Sequence, residues 1–147
     1  MCNQFSDQYL QIQRARVQNH LRDNERQRRL AQNAITQIRR IKDLAGPTVP
    51  VIVALLPDEN QINPDLQKLV RDVIVSDQLD FQMPQSMLVQ LFRAIEILTI
   101  DLLPIMRTEQ RCLYLNDTHW NSTGHEIAAA TIFERLKPFI KNVKSLR

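Results

Sequence analysis

Two short apolar runs separated by helix-forming sequence constrain this chain more than any other feature. Val49-Pro50-Val51-Ile52-Val53-Ala54-Leu55-Leu56 is rich in β-branched residues and closed by Pro57-Asp58, the pattern of a strand buried on both faces. Ile97-Leu98-Thr99-Ile100-Asp101-Leu102 is the next strand candidate, closed by Leu103-Pro104. Two amphipathic segments lie between them. In 65–75, Leu66, Leu69, Val70, Val73 and Ile74 fall at helical spacing, with Asp65 after Pro64 as the cap; in 84–95, Met87, Leu88, Leu91, Phe92 and Ile95 turn inward. Strands joined through helices in one sheet run parallel, because a parallel crossover needs about a dozen residues or more. The expected class is α/β, with helices on the faces of a short parallel sheet. Two or three strands are few for such a sheet, whose internal strands need a neighbour on each side.

The flanks are helical. Residues 8–44 contain no Pro or Gly, and Leu30, Ala34, Ile38, Ile41 and Ala45 recur at spacings of three and four up to the stop signal Gly46-Pro47. That predicts a long N-terminal helix. Before it, 11–29 has only Ile12, Val17 and Leu21 as apolar anchors, so 1–29 is expected to be a polar helical or mobile segment and 30–147 the folded unit. Past the second strand comes Leu113-Tyr114-Leu115, and 124–136 forms a last amphipathic helix carrying Ile127, Ala128, Ile132, Phe133 and Leu136, with Ser122 and Thr123 as expected caps.

Composition removes several function classes. At 147 residues and 44% hydrophobic content the chain fits one small domain with a real core. Its two glycines, Gly46 and Gly124, exclude a phosphate-cradling loop or a dinucleotide fingerprint. A charge of +3, from 19 Lys plus Arg against 16 Asp plus Glu, is too weak for a dedicated nucleic-acid binder. Arg14, Arg16, Arg22, Arg26, Arg28, Arg29, Arg39 and Arg40 are diluted by Asp23, Glu25 and Asp43 without interleaved aromatics, the pattern of a solvated helix face. Cys2 and Cys112 form no spaced cluster. No apolar run approaches the roughly 20 residues that cross a bilayer, and MCNQFSDQYLQIQRAR lacks the apolar stretch of a signal peptide.

Chemistry concentrates in Asp117-Thr118-His119-Trp120-Asn121. Asp117 and His119 stand two positions apart, so in an extended or tightly turned backbone their side chains meet on one side. A carboxylate on one imidazole nitrogen fixes the tautomer and stabilises the imidazolium, and the other nitrogen takes a proton from a serine hydroxyl. His125 and Glu126 add ligand types suited to zinc or manganese, but the spacing matches no metal motif; His125 is expected at a helix start and His20 in solvent.

LYLNDTHWNSTGHEIAAATIFERL resembles the C-terminal block of the SGNH or GDSL hydrolase superfamily, in the Asp-x-His-Trp form similar to acetyltransferase-like relatives of polysaccharide O-acetylation. VIVALLPDENQI resembles the family's central strand and following loop, and ILTIDLLPIMR the strand before the catalytic block, so the resemblance spans about residues 30–140. It implies part of a flavodoxin-like three-layer α/β/α fold. By carry-over Asp117 matches the triad aspartate and His119 the general base. Trp120 and Asn121 match supporting positions, and Gly124 the turn into the final helix. The implied substrate is an ester or O-acetylated carbohydrate, with no cofactor and no metal. The family's nucleophile occupies a Gly-Asp-Ser block and its oxyanion donors separate Gly and Asn blocks, none of which occurs here. Ser6, Ser76, Ser86, Ser122 and Ser145 all lie outside glycine-containing turns. The resemblance therefore implies the C-terminal part of a serine esterase or acetylesterase, inactive alone. The alternative is a non-catalytic interaction module using the basic N-terminal helix.

Overall fold

A computed structural model describes residues 5–144 apart from 23, 73 and 75, so Cys2, Asp23, Val73 and Ser145 lie outside the described residues. Helix α1 (Asp7–Val17) starts where the Ser6 hydroxyl accepts the Tyr9 N–H at 3.2 Å. After a 3₁₀ turn at Gln18–His20, α2 (Glu25–Ala45) opens on Asn24, whose side chain accepts the Gln27 N–H at 3.1 Å. It closes at Gly46, where a φ of 74° is open to a residue without Cβ. Strand β1 (Ile52–Leu55) leads through α3 (Glu59–Ile62), α4 (Pro64–Arg71) and α5 (Met83–Ala94) to β2 (Leu98–Asp101); α6 (Leu103–Thr108) and α7 (Ser122–Lys144) complete the chain.

The strands pair in parallel, Ile52 opposite Leu98 and Leu55 opposite Asp101. Alternation along β1 distributes its side chains between two helical layers. Ile52 and Ala54 pack with Ile100, Leu102, Met106 and Ala128 on the α6–α7 side. Val53 and Leu55 pack with Ile35, Ile38 and Phe92 on the α2–α5 side. Helices on both faces of a two-stranded parallel sheet make this a partial α/β/α fold. A third cluster ties α1 to α4 through Tyr9, Val17, Leu66, Val70 and Phe81.

Several local expectations shift. Leu103-Pro104 opens α6 instead of merely ending a strand: proline fits the first turn, where its missing N–H is unpaired anyway, and Asp101 Oδ1 accepts the Leu103 N–H at 3.0 Å. Asn63, not Asp65, caps α4, its Oδ1 accepting from the Asp65 and Leu66 N–H groups. In α2 the buried residues are Ala31 and Ile35, one position round from the predicted stripe, and Leu30 and Ile41 are exposed. In α1 it is Tyr9, Gln13 and Val17 that are buried, while Ile12 is exposed. His20, expected in solvent, is buried against Phe81 with ring centroids 5.2 Å apart.

The turn after β1 carries a buried polar cluster. Asp58 and Gln61 form a reciprocal capping box at α3. Buried Glu59 accepts from the Tyr9 hydroxyl and from Asn63 Nδ2, and Asn60 Nδ2 donates to Gln13 Oε1 at 2.7 Å. Gln61 Nε2 reaches Phe81 O at 3.0 Å. These bonds fasten α1 and the α4–α5 connection onto the C-terminal end of β1, the end at which α/β sheets bind ligands.

Candidate active site

The site residues lie on a short hairpin between α6 and α7. Tyr114 and Trp120 form an antiparallel bridge, with Leu115 N–H donating to His119 O at 2.8 Å and Asn121 N–H to Leu113 O at 2.9 Å. Its tip holds Asp117, Thr118 and His119. Thr118 has φ 75°, which a β-branched residue adopts only against steric cost. That turn brings Asp117 Oδ1 to 3.1 Å from the His119 backbone N–H and 3.3 Å from its Nδ1. The Asp117 carboxyl is held below the usual carboxylate range, first by the His119 backbone N–H. Both side chains are open to solvent, 61% exposed for Asp117 and 78% for His119.

Three anchors hold the hairpin. Asn121 is the cap of α7: its Oδ1 accepts the Gly124 N–H at 3.0 Å and its Nδ2 donates to Cys112 O at 2.7 Å. Ser122 and Thr123, expected as caps, lie inside the helix. Gly124, expected to be a turn residue, permits close approach instead. A Cβ there would stand 2.6 Å from Leu113 O and 3.0 Å from Trp120 Cβ. The third anchor is Tyr114, whose hydroxyl donates to Pro57 O just past β1, while the Trp120 side chain hydrogen-bonds to it. Burial pushes the Tyr114 hydroxyl pKa up, keeping it a neutral donor.

Beside the tip lies an open cleft of about 480 Å³. Leu56, Pro57 and Asp58 at the end of β1 form one wall; Tyr114, Thr118, His119, Trp120 and His125 form the other. His125 packs edge-on against Trp120 with centroids 5.6 Å apart. Arg16 closes the cleft from α1, its Nη1 3.2 Å from Asp58 Oδ2. No group of three or more His, Cys, Asp or Glu side chains suited to a metal ion occurs among the described residues.

The family described as "SGNH hydrolase-like domain, acetyltransferase AlgX" matches residues 13–145. The chain belongs to this SGNH hydrolase-like family. No curated protein and no solved structure matches it. The SGNH-like domain is thus of the hydrolase or acetyltransferase-like kind, related to O-acetyl chemistry. Its match begins in α1, in keeping with the placement of Arg16 at the cleft. Sequence reasoning did not assign Arg16 or Asp58 to the site. The Arg16–Asp58 contact crosses 42 positions, and periodicity within one element carries no signal of it. No helix among the described residues is long and apolar enough to cross a membrane.

Proposed function

We propose that this SGNH-like domain supplies the acid/base half of an acyl-transfer site acting on O-acyl esters, with O-acetylated carbohydrate as the substrate class. One observation supports it most: a single carboxylate oxygen, Asp117 Oδ1, holds both the backbone N–H and Nδ1 of His119 at the mouth of a cleft at the C-terminal end of β1. With Nδ1 engaged, Nε2 serves as the base. It takes the proton of a serine hydroxyl as that oxygen bonds to the ester carbonyl carbon, then returns it to the departing alcohol oxygen. In the second half the base takes a proton from water for hydrolysis, or from a sugar hydroxyl for transfer, as that oxygen bonds to the acyl carbon, and returns it to the serine oxygen as the acyl–serine bond breaks. Strain at Thr118 fits a tip whose conformation is kept for orienting its neighbours.

The nucleophile, in this reading, comes from outside the 147 residues. Ser6 is engaged as the α1 cap, Ser86 lies within α5 and Ser122 within α7; among the described residues no serine lines the cleft. Alone, the pair lacks the oxyanion donors and nucleophile that supply most of the rate enhancement. Labelling with a fluorophosphonate serine probe tests this. The 147-residue chain is expected to stay unlabelled, and the chain extended by its flanking genomic sequence to label at a serine outside residues 1–147, dependent on His119. Labelling of a serine within the 147 residues, or labelling unaffected by His119→Ala, overturns it.

A further inference from the structure

Helix α2 is built unlike the others. Over Glu25–Ala45 it carries Arg26, Arg28, Arg29, Arg39, Arg40 and Lys42 against Glu25 and Asp43, a balance of +4 by subtraction in a chain of +3 overall. Its core face is narrow, with only Ala31 and Ile35 fully buried. Beside that face lie uncovered apolar residues, Leu30 at 47% exposed, Ile41 at 51% and Leu44 at 88%, with exposed Ala34 and Gln37 between Leu30 and Ile41 along the helix. At about 100° per residue, Ile41 stands about 20° from Leu30 and Leu44 about 40° to the other side. Arg26, Arg40 and Arg29 follow within about 100° of Leu30 on the side away from the core, and all three are exposed. Val49, just past the helix, is exposed as well.

Uncovered apolar residues bordered by a row of arginines are the pattern of a helix lying in a lipid interface. We propose that α2 is a docking surface for an anionic lipid bilayer, with Leu30, Ile41 and Leu44 entering the acyl boundary and Arg26, Arg29 and Arg40 meeting headgroup phosphates. Charge selects this occupant. A second copy packed through the same face would bring Arg26, Arg29 and Arg40 of one copy against the same three arginines of the other. A soluble polyanion would satisfy the arginines and leave the apolar residues in water. An anionic bilayer matches both features at once. This surface is separate from the cleft, so the inference stands whether or not the acyl-transfer reading does.

The test is co-sedimentation of the 147-residue chain with phosphatidylcholine vesicles, with and without phosphatidylglycerol, at low and high salt. Binding is expected only to the anionic vesicles and is expected to weaken with salt. Each basic residue near an anionic surface contributes about fivefold in partitioning, so Arg29→Ala with Arg40→Ala lowers binding about twenty-five-fold. Ile41→Glu with Leu44→Glu abolishes it; these side chains are exposed, and circular dichroism checks that the helix is kept, with Leu44→Ser as the milder variant. Absence of vesicle binding overturns the proposal, as does binding that the apolar variants leave unchanged, which would mark simple polyanion attraction. A concentration-dependent dimer lost in Leu44→Ser, without vesicle binding, assigns the face to a second copy and overturns it equally.

Discussion

Replacing Gly124 by Ala sets two effects of opposite sign against each other, and the structure decides between them. Within a helix, Ala is favoured over Gly by about 1 kcal/mol, so propensity alone predicts a more stable protein. The added Cβ, however, would stand 2.6 Å from Leu113 O, 3.0 Å from Trp120 Cβ and 3.2 Å from Trp120 Cγ. The nearest of these is a backbone oxygen, which cannot rotate away as a side-chain tip does. Leu113 O also accepts the Asn121 N–H at 2.9 Å, so displacing it weakens the bond that closes the hairpin. Overpacking costs about 1–3 kcal/mol and the strained hydrogen bond about 1 kcal/mol more. The net expectation is destabilisation by about 1–3 kcal/mol. Urea unfolding measures it, with a lower midpoint at unchanged slope as the expected result. A Gly124→Ala variant as stable as the parent, or more so, refutes the close approach and the account of how the hairpin is held.

Three further outcomes follow from the same geometry. Tyr114→Phe removes the donor to Pro57 O and leaves a buried carbonyl unpaired, costing about 1–3 kcal/mol by urea unfolding; an unchanged midpoint would show that this anchor does not matter. Thr118→Gly relieves the φ 75° strain and is expected to raise stability by about 0.5–1 kcal/mol, after the unfolded-state entropy of glycine is subtracted, so a loss of stability would contradict strain at the tip. Burial pushes the Glu59 carboxyl pKa up, so the folded state holds a proton that the unfolded state has already released. Stability from this group is complete below the ordinary carboxylate range and is lost as pH rises through the raised value. Glu59→Gln should therefore flatten the fall in urea midpoint as pH rises above the ordinary carboxylate range, and identical pH profiles would remove Glu59 as its source.

The two strands and the helical layers around them were legible in the sequence, because Ile52 to Leu55 and Leu98 to Asp101 are short apolar runs set among amphipathic helical segments, whereas the short helices α3 and α6 were not. The buried face of α2 was not. Leu30, Ala34, Ile38 and Ile41 fit a helical period as well as Ala31 and Ile35 do, and the two faces differ by one residue. Neighbouring Phe92 and Leu55 make the choice, and they are distant in sequence. The polar cluster of Gln13, Glu59, Asn60 and Gln61 was equally hidden, because hydropathy places such residues in solvent while complementary hydrogen bonds bury them. At the site the Asp117–His119 pairing was readable, since it is local. The strained Thr118 between them was not, since a β-branched residue disfavours a positive φ, and neither was the approach of Arg16 from α1, which arises from how separate segments meet.

Asp117 and His119 are proposed to work as one acid/base unit. The most direct measurement is kcat and KM for a chromogenic acetyl ester in the extended protein, compared among the parent, His119→Ala and Asp117→Asn. Both variants are expected to lose about 10⁴-fold in kcat with little change in KM, because an orienting carboxylate and its base fail together. Turnover that survives either substitution would contradict it.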